Sequence, residues 1–348
     1  WVLAPDHPAD RNAPEKFVGL TDFFNGMPAL KDAGFDFINL ANNHCLDGGN
    51  TSMFYTQKLI EDLGIPTGGI GKTQEQARQM QVIEKGGLTF GFLCYSENCN
   101  YTLSTAGPCF AYYEPAVVLE DIARNRSKVD VLVVSVHADL EFMPTPSMPR
   151  REEFRKFAQA GATMVLGHHP HVPQGVEMIG RSLVAYSLGN FYFSAHSSEY
   201  MKNNGPNTAK SFMLLAEVSK RGIESFTREP YRIELPPNER ALPSSGPQRD
   251  EDMAYLTQLD AMVKDDAQVA DIWRKIAMKH LDIYFQRVGK MDFAKFIDQL
   301  GQLTLVRENS QWVAEAFQAV KENWAQQAGV VDPYRRPLDV LNSKQKGD

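Results

Sequence analysis

Cysteine is scarce in this chain: four residues in 348. No two of them form a CxxC pair, so neither a zinc ribbon nor a disulfide-dense scaffold is expected. Long apolar runs are also missing. Nothing approaches the roughly 18 consecutive apolar residues of a membrane-spanning helix. Basic stripes are absent, and the formal net charge is -7, which argues against a nucleic-acid-binding surface. Phosphate-bearing substrates stay open, because a bound metal supplies positive charge that side chains do not. No GxSxG elbow, P-loop or GxGxxG fingerprint occurs, so nucleophilic-serine and nucleotide-cofactor chemistry get no support. No internal repeat is visible.

The remainder is ordinary for a globular protein, with 43% hydrophobic and 23% charged residues. Cys94, Cys99 and Cys109 crowd one segment, apart from Cys45. A Cys99–Cys109 or Cys94–Cys109 bridge in an oxidising compartment and free buried thiols are both open readings. The opening stretch WVLAPDHPADRNAPEKF reads as the middle of a loop, and the protein is expected to continue upstream, with any targeting segment there.

Strand-like and helix-like segments alternate along the first two thirds. A Gly-capped helix over residues 25–34 leads to a strand from Phe35 to Ala41, and a helix follows from about Thr51 to Leu63. Gln81 to Glu84 and Leu88 to Cys94 flank Gly86-Gly87 as a hairpin. Helix 114–128 feeds Val129 to Val136, the most β-like run. After a Pro-rich loop to Arg150, helix 152–160 ends at Gly161 and strand 162–166 begins. A hairpin spans 173–188, and strands 211–219 and 223–235 follow. This order implies a layered α/β unit with a partly antiparallel sheet. Composition changes at LPPNERALPSSGPQRD, giving an expected division into 1–235, a linker at 236–250 and a helical region over 251–340.

Histidine carries the chemistry. Five of the eight lie in three segments that each follow a β-like run: ANNHCLD, VSVHADLEF and GHHPHV. Imidazoles at the carboxyl ends of several strands of one sheet meet in the crevice where such folds bind ligands, and neutral imidazole is the commonest metal ligand. In GHHPHV, Pro170 stiffens the turn between His168-His169 and His171; a hydrogen-bonded polar turn is the bland alternative. In ANNHCLDGG, Asn43 can offer a carboxamide oxygen and His44 can act as ligand, acid or transition-state donor. Asp47 can orient His44 or cap the helix near Thr51. His137 gains weight from the other two segments, and Asp139 and Glu141 beside it are either metal-site acids or exposed loop residues. In SLGNFYF, Asn190 can contact substrate or metal, while Phe191 and Phe193 read as core.

The stretches GFDFINLANNHCLDGG, VSVHADLEF, GATMVLGHHPHVPQGVE and VAYSLGNFYF, in this order from about Phe17 to Phe193, resemble the bacterial capsule-synthesis, poly-γ-glutamate biosynthesis family. Its fold is similar to that of the calcineurin-like metallophosphoesterases. The resemblance implies a four-layered α/β/β/α sandwich, without its N-terminal strand, followed by a helical appendage. It implies a two-metal crevice of divalent ions, with Mn, Fe, Zn and Ni not distinguished. Asn43, His137, His168 and His171 would then be ligands and His44 the transition-state donor, with His169 as the alternative to His168. It further implies extracytoplasmic, membrane-associated work on a polyanionic polymer or phosphorylated small molecule, within a synthesis complex or as a non-catalytic polymer-binding component. Two departures stand out. The family's opening Gly-Asp metal motif has no match, so a site without carboxylate ligands is expected. Ala138-Asp139 stand where the family tends to carry Trp-Gly.

Overall fold

The structure, a computed structural model, describes residues 2–4, 18–20, 27–97, 107–192, 201, 205–234, 240–276, 291–292, 296, 300–301, 303–304 and 307–327. Its first elements are two short parallel strands, β1 (Val2–Ala4) and β2 (Val18–Leu20), in a stretch whose local sequence reads as loop. The pairing joins segments distant in sequence, which no local pattern records. Then come α1 (Met27–Asp32), β3 (Ile38–Asn39), α2 (Gly49–Asp62), β4 (Thr67–Gly68), β5 (Ile70–Gly71) and α3 (Gln74–Ala77). The expected hairpin is present as β6 (Gln81–Lys85) and β7 (Leu88–Ser96). The strand β8 (Cys109–Phe110), α4 (Pro115–Asn125) and β9 (Val131–His137) follow.

Helix α5 (Met148–Ala160) starts earlier than the sequence suggests. Ser147 caps it by accepting the Arg150 N–H, and Pro149 sits in the first turn, where a missing N–H costs nothing. The Pro-rich stretch is thus partly helix start. Next are β10 (Met164–His168), β11 (Val176–Ile179), β12 (Ser182–Ala185), β13 (Lys210–Ser219), β14 (Gly222–Ile233), β15 (Ala241–Pro243), α6 (Gly246–Met262) and α7 (Arg307–Gln327).

One six-stranded sheet, ordered β11-β12-β10-β9-β7-β6, organises the fold. Its four central strands run parallel, with antiparallel β6 and β11 at the edges. Period-two alternation assigns its faces. Leu93, Tyr95, Leu132, Val134, Val136, Val165 and Val184 pack with Val118 and Ile122 of α4 and Phe154 and Phe157 of α5. The opposite face is covered at β7 by Leu40, Ile70 and Phe110 together with Met53, Leu59 and Ile60 of α2. At β11 and β12 it is covered by Phe212 and Ile223 of the β13-β14-β15 sheet and by Leu256 and Leu259 of α6. The result is an α/β/β/α layering.

The first compact unit runs Trp1–Asp265 and the second Asp266–Asp348. This moves the boundary expected at 236–250. β15 pairs with β14, and α6 is locked into the first unit. Arg151 and Arg155 donate to Val263 O at the carboxyl end of α6 (2.8 and 3.2 Å), and Asp260 accepts Val176 N–H (2.8 Å) and two bonds from Arg228. Composition marks 236–250 as polar, and its Arg240 and Arg249 pair with Glu234 and Glu229 of the first unit at 3.1 and 2.8 Å. In the second unit, Glu322 of α7 forms an exposed pair with Arg274 at 2.9 Å.

Candidate metal centre

The centre stands at the carboxyl ends of β9 and β10. His137 and His168 are register partners in that parallel pair and so share a face, the one opposite α4 and α5. The glycine before His168 permits this pairing. A Cβ on Gly167 would lie 1.8 Å from Tyr186 O, so only glycine lets β12 approach.

Three side chains converge as ligands would. Donor atoms of Glu141, His169 and His171 all lie within 4.8 Å of one another. The His171 Nδ1–H donates to Asn190 Oδ1 at 2.7 Å, which leaves the Nε2 lone pair facing Glu141 Oε1 at 3.6 Å. His169 Nδ1 lies 3.2 Å from His137 Nε2, and His137 Nε2 lies 2.9 Å from Asn43 Oδ1. His44 donates from Nδ1 to Asp47 Oδ2 at 2.8 Å. Asp47 therefore orients His44, and the N-cap position of α2 is Gly48.

Electrostatics suit a cation. Burial holds His137 well below the usual imidazole range, and the neighbouring His169, His168, His171 and His44 add to this. Burial takes His168 and His169 down to about 4. At neutral pH these three rings are uncharged, the form that ligates metals.

The backbone is strained at the same place. Among the described residues, the non-glycine positions with positive φ are Asp139 (86°), Phe142 (64°), His169 (97°) and His171 (59°). Each costs about 1–3 kcal/mol and persists only where its surroundings over-determine it. Here the determinants are visible. Asp139, buried, accepts the Ser147 and Leu140 N–H groups at 2.8 and 3.0 Å. Beside it the buried Arg150 donates to Glu97 at 2.7 Å and to Glu153 at 2.9 Å. Burial pushes the Asp139 carboxyl up to about 6, Arg150 opposing. Phe142 N–H reaches Pro170 O at 2.8 Å, tying the loop that carries Glu141 to the loop that carries His171.

Several expectations change. His168 does not join the three convergent donors. Ser135 Oγ accepts from Asn39 Nδ2 (2.9 Å), so its hydroxyl is free to donate to His168 Nε2 at 3.0 Å, using that ring's accepting nitrogen. His169, the alternative, takes the place. The expectation of a site without carboxylates is also corrected, since Glu141 lies in the donor set. Asn190 is buried with its carboxamide engaged inside the protein. Its Nδ2 donates to Thr208 O and His171 O, so it orients His171 and has no free end for substrate. Phe191, expected in the core, is 56% exposed and stands edge-on to Phe35 and Tyr231; Phe193 lies outside the described residues. Neither cysteine bridge forms, because Cys45, Cys94 and Cys109 are free and buried; Cys99 lies outside the described residues. Burial moves the Cys45 thiol up to about 12, so it is inert. The Asn39–Ser135 link and the Glu97–Arg150 pair carry no local sequence signal.

The family model for bacterial capsule synthesis protein PGA_cap matches residues 9–195, which hold every residue of this centre. The chain is 27% identical over 222 residues to the PGA biosynthesis protein CapA of Bacillus subtilis, covering 63% of this chain and 56% of that protein. It is 30% identical over 186 residues to the capsule biosynthesis protein CapA of Bacillus anthracis, covering 51% and 45%. The chain thus spans about half the length of these relatives. Among solved structures, a 5'-nucleotidase precursor from Thermus thermophilus aligns at 14% identity over 70% of this chain and 48% of its own, with a TM-score of 0.39. A hypothetical protein from the same organism aligns at 15% over 59% and 79%, with a TM-score of 0.38. Overlap that low transfers no feature of either.

Proposed function

This chain belongs to the bacterial capsule synthesis protein PGA_cap family, and from that premise we propose that it is a divalent-cation-dependent hydrolase of capsule-polymer biosynthesis, acting on a phosphorylated or polyanionic substrate. One observation carries the reading: a carboxylate and two imidazoles converge within 4.8 Å on a loop pair held in strained backbone.

The donors fit a cation. Glu141 Oε1, a ring nitrogen of His169 and His171 Nε2 would hold it, and two imidazoles with one carboxylate leave open positions for substrate. A second ion would draw on Asn43 Oδ1 and His137 Nε2, which now bond each other. Cations in such sites polarise a phosphoryl or carbonyl oxygen and stabilise the charge that develops there. The chain's own residues do the rest. His44, fixed by Asp47, lies near enough to His137 to act on its charge and can hand a proton to a leaving oxygen. Asn190 keeps His171 in the ligating tautomer. The capsule role of the relatives favours an extracytoplasmic site of action within a membrane-associated synthesis complex; no helix among the described residues is long and apolar enough to cross a membrane.

The test is titration of the purified protein with Mn²⁺, Fe²⁺, Zn²⁺ and Ni²⁺ by calorimetry, alongside hydrolysis of an aryl phosphate ester. Uptake and turnover, both lost in His171→Ala, are expected. Uptake without turnover on the ester or on polymer would leave a non-catalytic polymer-binding component. Neither uptake nor turnover would overturn the metal reading altogether.

A further inference from the structure

At the opposite end of the same strands lies a second concavity of about 230 Å³. It opens where β9, β10 and β12 begin, whereas the histidines stand where β9 and β10 end. Seven residues of β9 separate the two ends, about 20 Å at roughly 3.3 Å per residue.

Four cations from three turns line it: Arg126, Arg181 and the adjacent Lys220 and Arg221. Against them stand two carboxylates, Asp130 in the cleft and Glu224 on its rim. Arg181 and Arg221 converge on Glu224 (3.1 and 3.0 Å), and Lys220 meets Asp130 at 3.1 Å. Arg126 meets no carboxylate in these contacts; its Nη1 donates to Ala160 O at 3.1 Å, leaving the rest of the guanidinium available. The cleft therefore carries a local excess of two positive charges on a chain of net charge -7.

Two glycines keep it open. A Cβ on Gly161 would lie 2.9 Å from Arg126 Cδ, and one on Gly222 would lie 2.7 Å from Arg181 O. Both have left-handed φ, 116° and 114°. Exposed ion pairs such as those to Glu224 contribute little and exchange readily for an incoming carboxylate. Glu224 shows how that carboxylate would sit: between two guanidiniums, whose planar forks match it.

We propose that this cleft is an anchoring site for an acidic polymer, binding successive carboxylates through Arg126 and the Arg181–Arg221 pair at the end of the sheet remote from the histidines. The identity of the polymer as a capsule substrate rests on the function proposed above; the anchoring site itself does not need the metal.

The experiment uses fluorescein-labelled oligoglutamate and the whole protein in EDTA, with binding read by anisotropy. Wild-type protein is expected to bind with an affinity that falls as salt rises. Arg126→Ala with Arg181→Ala should weaken binding at least about tenfold, as expected for losing charge-assisted contacts. The distant Arg240→Ala and the metal-centre variant His171→Ala should leave it unchanged. Glu224→Gln should tighten it, because an internal competitor for the two guanidiniums is removed. All these cations are exposed, so an unchanged melting temperature is expected and shows that the fold is intact. Equal binding by every variant, loss in His171→Ala, or weakening in Glu224→Gln would overturn the assignment. So would absence of oligoglutamate binding combined with capture by anionic phosphatidylglycerol vesicles.

Discussion

His168 and His169 adjoin in sequence yet differ in what their nitrogens do. His168 Nε2 is met by Ser135, itself held by Asn39, while His169, at a φ of 97°, turns into the cluster with His171 and Glu141. The expected outcome is asymmetric. His169→Ala should weaken cobalt binding by about 10–100-fold or more, at least the loss typical of disturbing a metal's surroundings. His168→Ala should change it by less and act mainly on stability, through the Ser135 hydroxyl that loses its acceptor. Cobalt absorption titration and thermal melts of the two variants separate these effects. A larger loss of cobalt in His168→Ala would return that residue to the ligand set. The same scale explains Glu141. In sequence it is one loop acid among several; the bond from Phe142 N–H to Pro170 O and the stacking of Phe142 on His171 bring its loop to His171.

Among the elements, the β10–β12 contact governs the site, because the segment with His169 and His171 follows β10 and Asn190 follows β12. Gly167 is its hinge point: an added Cβ would meet backbone, not a side chain that can move. Gly167→Ala should therefore cost about 3 kcal/mol or more, the upper range of overpacking, with cation binding weakened alongside. Urea denaturation followed by fluorescence measures the first effect. A cost near zero would mean that β12 can retreat without harm. The β9–α5 connection shows why element boundaries shift between sequence and structure. Three prolines there look like loop, but Ser147 and Pro149 are a cap and a first-turn residue, so α5 starts at Met148. The buried Asp139, Glu97 and Arg150 then bind that helix start to the loop above it.

At the scale of the molecule, the three apolar clusters of the sandwich lie entirely within Trp1–Asp265, α6 included. A chain ending at Asp265 is expected to unfold cooperatively and to keep the cation binding of the whole protein. One ending at Leu235 should not, because it loses Leu256, Leu259 and the bonds of Asp260 and Val263. Calorimetric melts of both truncations decide this, and a cooperative shorter chain would restore the boundary that composition suggests. The sequence by itself determined the α/β class, the hairpin at Gly86-Gly87 and the three histidine segments at strand ends, and it offered Asp47 as a partner for His44 or a helix cap. These are local: apolar periodicity, turn chemistry and spacing within a few residues. Only the tertiary structure decided that His169 and Glu141 join His171, that Asn190 serves His171, that Phe191 faces solvent and that four cations meet across the strand beginnings. Each of those depends on which strands pair and on how two loops bond across a gap, and pairing between distant segments leaves no periodic trace in the chain.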